Sequence, residues 1–154
     1  MAHIVDANCF IQPKNEYYGF DFCPGYWDWL DQENQLGNVF SIDRIGEELK
    51  RGNDELAEWA NSKDDTFFIP TDPPALAGIA QINAWVSAAH FKSHAIPTFM
   101  NCADPFLIAY AFAHGHTVVT HERLIPNESK RDLRMKHQPV EILHRTDIVG
   151  IVVG

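Results

Sequence analysis

The sequence has few of the features that mark secreted, zinc-binding or membrane proteins. Its three cysteines, Cys9, Cys23 and Cys102, form no C-x-x-C pair, which argues against a disulfide framework or a zinc ribbon. No apolar run approaches the roughly 18 residues that span a bilayer. The opening MAHIVDANCF has no basic region before its first acid, so it does not resemble a signal peptide. We therefore expect a cytoplasmic protein without a membrane segment.

Positive charge is also scarce. Twelve Lys and Arg face 21 Asp and Glu, which gives a net charge of −9. Because phosphate contacts dominate nucleic-acid binding, this balance argues against a general nucleic-acid binder. It argues less against a metal-dependent nuclease, since clustered acids can hold a cation that then meets the phosphate.

Short apolar runs alternate with amphipathic stretches, and no repeat or linker interrupts the 154 residues. This pattern predicts one α/β domain over residues 1–154, a three-layer α/β/α sandwich around a mainly parallel sheet. Residues 7–25 are predicted as a loop that contains at most one turn of helix. Ser41 and Asn53 are the predicted N-caps of the two helices that follow them. The predicted strands are His3–Val5, Val39–Phe40, Thr66–Ile69, Thr117–Thr120 and Asp147–Val153. The predicted helices are Tyr26–Gln35, Ile42–Arg51, Asp54–Ala60, Pro73–His90 and Pro105–His114.

Two acids bracket the apolar stretch ADPFLIAYAFAHGHTVVTHE, residues 103–122. Pro105 opens a predicted helix, Gly115 ends it, and the chain returns as a strand. A helix that turns tightly into a strand runs antiparallel to it, so the helix start and the strand end share one edge of the sheet. Asp104 and Glu122 are therefore predicted neighbours. Asp104 is also a good N-cap, and the two roles are compatible.

Asp6 follows the first predicted strand and lies at the same edge if that strand is parallel to Thr117–Thr120. Open α/β sheets bind ligands outside the carboxyl ends of their strands. Three acids at one edge repel one another unless a cation lies between them, and carboxylate oxygens suit Mg²⁺ or Mn²⁺. The simpler interpretation of Asp6 is a turn residue that ends a strand.

The segment IDRIGEELKRG offers a fourth acid. Ile42, Ile45 and Leu49 mark the buried stripe of a helix, and Glu48 borders that stripe. Glu47 lies further round toward solvent, so Glu48 is the better inward acid. The alternative is that both belong to a solvated helix face.

Three motifs together resemble the PIN domain: HIVDAN, E-L-x-x-G from Glu48 to Gly52, and residues 103–122. NCFIQPKNEYYGFDFCPGYWDWL and SIDRIGEELKRGNDELAEWA are closer still to one PIN-like subfamily. The resemblance covers about residues 3–122 and implies a metal-dependent ribonuclease, often the toxin of a bacterial toxin–antitoxin pair of the VapC kind.

The resemblance places the family's acidic quartet on Asp6, Glu48, Asp104 and Glu122, as catalytic residues and as ligands for Mg²⁺ or Mn²⁺. Many members have Asp at the last position, so Glu122 departs from the pattern, and residues 123–154 match no ending of the family. Asn8 and Thr120 border the acids and are candidates to hydrogen-bond ligands or phosphate, with turn and strand-end roles as the alternative.

The sequence also suggests partners. The segment KRDLRMKH could grip RNA phosphates or meet an acidic antitoxin, or it could be a solvated basic loop; its candidate residues are Lys130, Arg131, Arg134, Lys136 and His137. Residues 17–29 hold seven aromatic residues, better explained by core or interface packing than by base stacking. The aromatic segment 17–29 also suggests a homodimer.

Three alternatives to the ribonuclease stay open. One is a nuclease acting on flap DNA, and another is a PIN-like binding module without turnover. The third is a zinc site, since His114, His116 and His121 flank Glu122 and His90 and His94 are spaced i, i+4, although no H-E-x-x-H motif is present.

Overall fold

The computed structural model describes residues 2–88, 95–120 and 151–152. Within these residues the strands are β1 (His3–Val5), β2 (Val39–Ile42), β3 (Phe68–Ile69), β4 (Thr117–Thr120) and β5 (Ile151–Val152). The helices are α1 (Asn8–Glu16), α2 (Pro24–Gln35), α3 (Asp43–Lys50), α4 (Glu55–Asn61), α5 (Pro73–Ala88), α6 (Ala95–Asn101) and α7 (Asp104–His114). None of these helices is long and apolar enough to cross a membrane.

The five strands form one sheet in the order β3-β2-β1-β4-β5, and every pair is parallel. In the central pair, Ile4 lies opposite Val118 and Val5 opposite Val119. The chain builds outward from β1 through β2 to β3 and then crosses back to β4 on the other side of β1. The strand order therefore reverses between β1 and β4, which is the position where open parallel sheets bind ligands.

The same reversal sorts the helices into two layers. Parallel crossovers are right-handed, so the helices between β1 and β3 cover one face and those between β3 and β4 cover the other. On the first face, the ring centroids of Phe10 in α1 and Trp59 in α4 lie 5.6 Å apart, so these two helices share one layer. On the second face, Gly78 of α5 backs onto Ala109 of α7. The predicted three-layer α/β/α sandwich with a parallel sheet is confirmed.

Aromatic packing fills the first layer. Phe10 is fully buried among Trp59, Phe67 and Phe68, with ring centroids 5.6–6.4 Å apart. Trp27 of α2 completes the cluster through an edge contact with Trp59 at 5.0 Å. Part of the aromatic-rich segment 17–29 therefore belongs to the core, as burial of large apolar surface favours.

Two predictions about local structure are wrong in the first third of the chain. Residues 8–16 form helix α1 instead of a loop, because Cys9, Phe10 and Pro13 bury one face of that stretch. Ser41 is not an N-cap but a strand residue within β2. Its hydroxyl is fully buried and donates to the Val5 carbonyl at 2.6 Å, so it links β2 to β1.

Other boundaries shift by one or two residues, as helix and strand ends commonly do. Asp54, not Asn53, caps α4, and its carboxylate accepts from the Ala57 N–H at 3.0 Å. Helix α6 was not predicted. The predicted strand Thr66–Ile69 is shorter in the structure, where only Phe68–Ile69 form β3. Of the predicted strand Asp147–Val153, the structure describes residues 151 and 152, which form β5.

Candidate functional site

The carboxyl ends of β1 and β4 join at Asp6 and Thr120. Asp6 follows β1 directly, and its backbone N–H donates to the Val119 carbonyl at 3.0 Å, which extends the pairing one residue beyond the strand. The Thr120 hydroxyl donates to Asp6 Oδ2 at 3.1 Å. These side chains are 114 residues apart in the chain, yet they meet where the strand order reverses.

Asp6 is a buried acid, with 3% of its surface exposed. Burial of a carboxylate is costly unless hydrogen bonds or a cation compensate it. Thr120 supplies one hydrogen bond, and the Ser41–Val5 hydrogen bond holds the preceding peptide in place. The edge therefore presents a carboxylate in a fixed position.

As predicted, helix α7 is followed by a tight turn and by β4, which runs back to this edge. Gly115 ends the helix in the left-handed conformation, with φ 69° and ψ 35°, and β4 follows two residues later. Asp104 is half-buried and is the first residue of α7, while the N-cap position is Ala103 in helical conformation. The predicted capping role of Asp104 is therefore wrong, because the chain is already helical at Ala103.

The charges of Asp104 and Glu48 both act on the thiol of Cys102. The pKa of its thiol is raised from 9.0 to about 11, first by burial, then by the charge of Asp104 and, more weakly, by that of Glu48. Like charges raise the pKa of a thiol because they disfavour the thiolate. Helices α3 and α7 thus bring both carboxylates near one thiol group.

Arg44 fixes the side of α3 that faces α7. Its guanidinium carbon lies 3.5 Å from the centre of the Phe106 ring, a cation–π contact between the first turns of the two helices. Glu48 lies one helical turn after Arg44 and so shares its face, whereas Glu47 is rotated by about 100°. Neither Arg44 nor Cys102 was singled out from the sequence, although Arg44 precedes Glu48 by the four residues that define one helix face.

The described residues do not by themselves form a closed metal site. Among residues 2–88, 95–120 and 151–152, no group of three His, Cys, Asp or Glu side chains could hold a metal ion. Glu122, the fourth predicted ligand, lies outside the described residues, as does the predicted basic segment with Lys130, Arg131, Arg134 and Lys136. The donor chemistry of Asp6, Glu48 and Asp104, carboxylate oxygen throughout, suits Mg²⁺ or Mn²⁺.

The remaining candidate residues are Asn8, close to the carboxyl edge of the sheet, and the histidines of the zinc alternative. Asn8 is exposed and begins α1, two residues after Asp6. His114 pairs with Asp72 at 2.7 Å, and the His116 ring accepts from the Ala2 N–H at 3.3 Å. These contacts give both histidines structural roles, which weakens the zinc alternative. His90, His94 and His121 lie outside the described residues.

Fold and edge together define an α/β protein with buried and half-buried acids at the switch point of a parallel sheet. Residues 3–137 match the family described as Domain of unknown function (DUF4411), and the chain belongs to that family. No curated protein and no solved structure matches the chain. The family description carries no activity, so the likeness to the PIN domain and its ribonuclease chemistry stay predictions.

Proposed function

We propose that the protein is a divalent-metal-dependent endoribonuclease that hydrolyses RNA phosphodiesters. The observation that carries the proposal is the hydrogen bond from Thr120 to Asp6 at the reversal of strand order. It joins a buried carboxylate to the strand end from which residues 121 and 122 continue. Parallel sheets bind ligands at this position, and the charges of Asp104 and Glu48 both act on the Cys102 thiol, two residues before the start of α7.

Asp6, Glu48, Asp104 and Glu122 would hold Mg²⁺ or Mn²⁺ through carboxylate oxygens. When bound, the ion supplies a water of lowered pKa and offsets charge on the phosphate. Thr120 orients Asp6 by donating to Oδ2. Asp104 or Glu122 orients the attacking water, and Asn8 contacts the phosphate from the first turn of α1.

Arg44 is the phosphate-binding residue of this proposal. Arg44 is exposed, its guanidinium carbon lies 3.5 Å from the centre of the Phe106 ring, and it forms no ion pair with an acid of the described residues. A guanidinium stacked in this way keeps its N–H donors free for a planar pair of contacts to phosphate. Arg44 also supplies positive charge beside the acids. Positive charge is otherwise scarce in this protein, whose net charge is −9.

The direct test measures cleavage of single-stranded RNA with Mg²⁺ or Mn²⁺ by the wild type and by two matched variants. We expect Glu48→Gln to lower the rate by about 100-fold or more, as loss of a charged catalytic group does. Glu47→Gln, the adjacent control, should stay within about twofold of wild type, since both acids are exposed but Glu47 is rotated by about 100° from the face of α3 that carries Arg44 and Glu48. Cleavage should stop in EDTA.

Asp104→Asn should behave like Glu48→Gln, and Thr120→Val should cost about 10–100-fold in metal affinity or activity, as loss of a ligand's hydrogen-bond partner does. Equal, EDTA-insensitive cleavage by wild type and Asp104→Asn, or no cleavage with any metal, would refute the proposal. Preference for flap DNA over RNA would favour the second nuclease alternative. Failure to bind Mn²⁺ by calorimetry would favour a binding module without turnover.

The toxin role and a cognate antitoxin rest on the PIN resemblance alone. Expression of wild type and Asp104→Asn in a bacterial host tests that role. Growth arrest by the wild type and normal growth with the variant would support a toxin. Equal growth of both strains at equal protein levels would leave a ribonuclease that is not a toxin.

A further inference from the structure

A row of four aromatic rings lies on the surface made by α1, α2 and the segment between them. Tyr17 contacts Tyr18 at 6.4 Å, Tyr18 stacks on Tyr26 at 4.9 Å, and Tyr26 contacts Trp29 at 6.2 Å. The Tyr26 hydroxyl donates to the Cys9 carbonyl at 3.2 Å. We call these four residues the aromatic row. Burial raises the Tyr26 pKa to about 12, so this donor stays protonated at physiological pH.

Much of this aromatic surface faces solvent. Tyr17 is 70% exposed, and Tyr18 and Trp29 are each exposed over more than two fifths of their surface. Phe22, in the segment that links α1 to α2, is 93% exposed. An aromatic side chain has a surface of about 200 Å², so Tyr17, Tyr18, Trp29 and Phe22 together expose on the order of 500 Å². Apolar exposure of this extent on a single chain commonly marks an interaction site.

The chain segment that carries the row is rich in acids. Two lysines lie on or contact this part of the protein, and each is paired with an acid: Lys14 with Asp54 at 2.7 Å and Lys63 with Asp31 at 2.6 Å. Between Lys14 and Arg44 the sequence has no Lys, Arg or His, whereas six acids fall in that interval. Three of these acids, Glu16, Asp21 and Asp28, are exposed beside the aromatic residues in the chain. An acidic surface repels phosphate, so bases of a nucleic acid are poor candidates to stack here. It attracts cations, and aromatic faces attract them as well.

We propose that the aromatic row and its acidic rim bind an arginine-bearing segment of a partner protein. Guanidinium groups stack on aromatic faces and pair with carboxylates, so one arginine can use both features of this surface. The protein already shows this preference internally, in the contact of Arg44 with Phe106 at 3.5 Å. Apolar side chains between the arginines would cover Phe22. This inference does not depend on the proposed ribonuclease activity.

The test titrates the full chain with a short fluorescent peptide in which arginine and leucine alternate with glycine and serine. A second peptide with glutamine at each arginine position is the matched probe. We expect the arginine peptide to bind more tightly, with affinity that falls as salt rises. The variant Tyr17→Ser/Phe22→Ser/Trp29→Ser should lose about tenfold or more in affinity, since aromatic residues dominate such interfaces.

Two control variants separate this surface from general charge and apolarity. Leu36→Ser/Leu76→Ser removes other exposed apolar side chains and should bind as wild type does. Asp21→Asn/Asp28→Asn should weaken binding and flatten its salt dependence, whereas Glu58→Gln/Asp65→Asn should not. Circular dichroism and thermal melting check that each variant is folded.

Three results would overturn the inference. One is equal loss of affinity in both acid pairs, which would show attraction to net charge alone. Another is tight binding of single-stranded RNA that the aromatic variant abolishes while the arginine peptide is unaffected. The third is a dimer in sedimentation that this variant dissociates, which would make a second copy of the chain the occupant.

Discussion

Replacing Gly46 by alanine tests the packing that positions Glu48. Gly46 lies in the middle of α3, where its missing side chain lets the helix rest on the ring of Phe68. A Cβ at this position would lie 2.7 Å from Cγ of Phe68 and 3.0 Å from both Cδ atoms. The nearest of these distances is about 0.7 Å short of ordinary contact, which begins at 3.4 Å.

The ring cannot easily move away. Phe68 is 4% exposed, and its ring contacts those of Phe67 at 5.1 Å and of Phe10 and Trp59 at 6.4 Å. Overpacking of a dense core costs about 1–3 kcal/mol. Alanine regains up to about 1 kcal/mol of helix propensity relative to glycine. We expect a net loss of about 1–2 kcal/mol in the free energy of unfolding, or roughly 3–6 °C in melting temperature.

Urea unfolding followed by circular dichroism measures this change. Gly25→Ala is the matched control, because Gly25 is also helical and nothing lies within 4 Å of its added Cβ. It should be neutral or more stable than wild type by about 0.4–1 kcal/mol. Phe68→Leu should lower the cost of Gly46→Ala by about 0.5 kcal/mol or more, since contacting residues are coupled. If Gly46→Ala is as stable as Gly25→Ala, the close approach of α3 to Phe68 is refuted.

Three further predictions concern single contacts. Asp54→Ala removes the α4 cap and the 2.7 Å ion pair with Lys14, and should cost about 1–2 kcal/mol of unfolding free energy. The pKa of Asp54 is lowered, mainly by the hydrogen bond from Lys14, so the stability that Asp54 contributes is present above its ordinary pKa of 3.8 and is lost as pH falls below that value. The unfolding free energies of wild type and variant should therefore converge in acid, and a difference that stays constant with pH would contradict this. Ser41→Ala should cost about 1–2 kcal/mol in urea unfolding because it removes the buried 2.6 Å hydrogen bond, and an unchanged midpoint would contradict it. Alkylation of Cys102 by iodoacetamide, followed by mass spectrometry, should be slow at mildly alkaline pH and faster in Asp104→Asn, since loss of the neighbouring charge lowers the thiol pKa; equal rates would show that Asp104 is not close.

Much of the architecture could be predicted because its signals are local. The Gly115 turn and the apolar pattern around it predicted a helix that returns as a strand, and α7 and β4 confirm that prediction. The position of Asp6 at the end of β1 needed only a short apolar run and the acid that follows it. The local signals failed where tertiary contacts compete with them. Ser41 has the side chain of an N-cap, but β2 is paired on both sides and draws it into the strand.

By itself, the sequence determined the fold class, the direction of the strands and which acids stand at strand and helix ends, because each depends on a few neighbouring residues. Only the tertiary structure decided the strand order and the register that places Thr120 against Asp6, since these depend on residues 114 positions apart. It also decided that the face of α3 that carries Arg44 and Glu48 meets α7, through the contact of Arg44 with Phe106. Helix periodicity defines a face of α3, but what that face meets depends on how the layers pack.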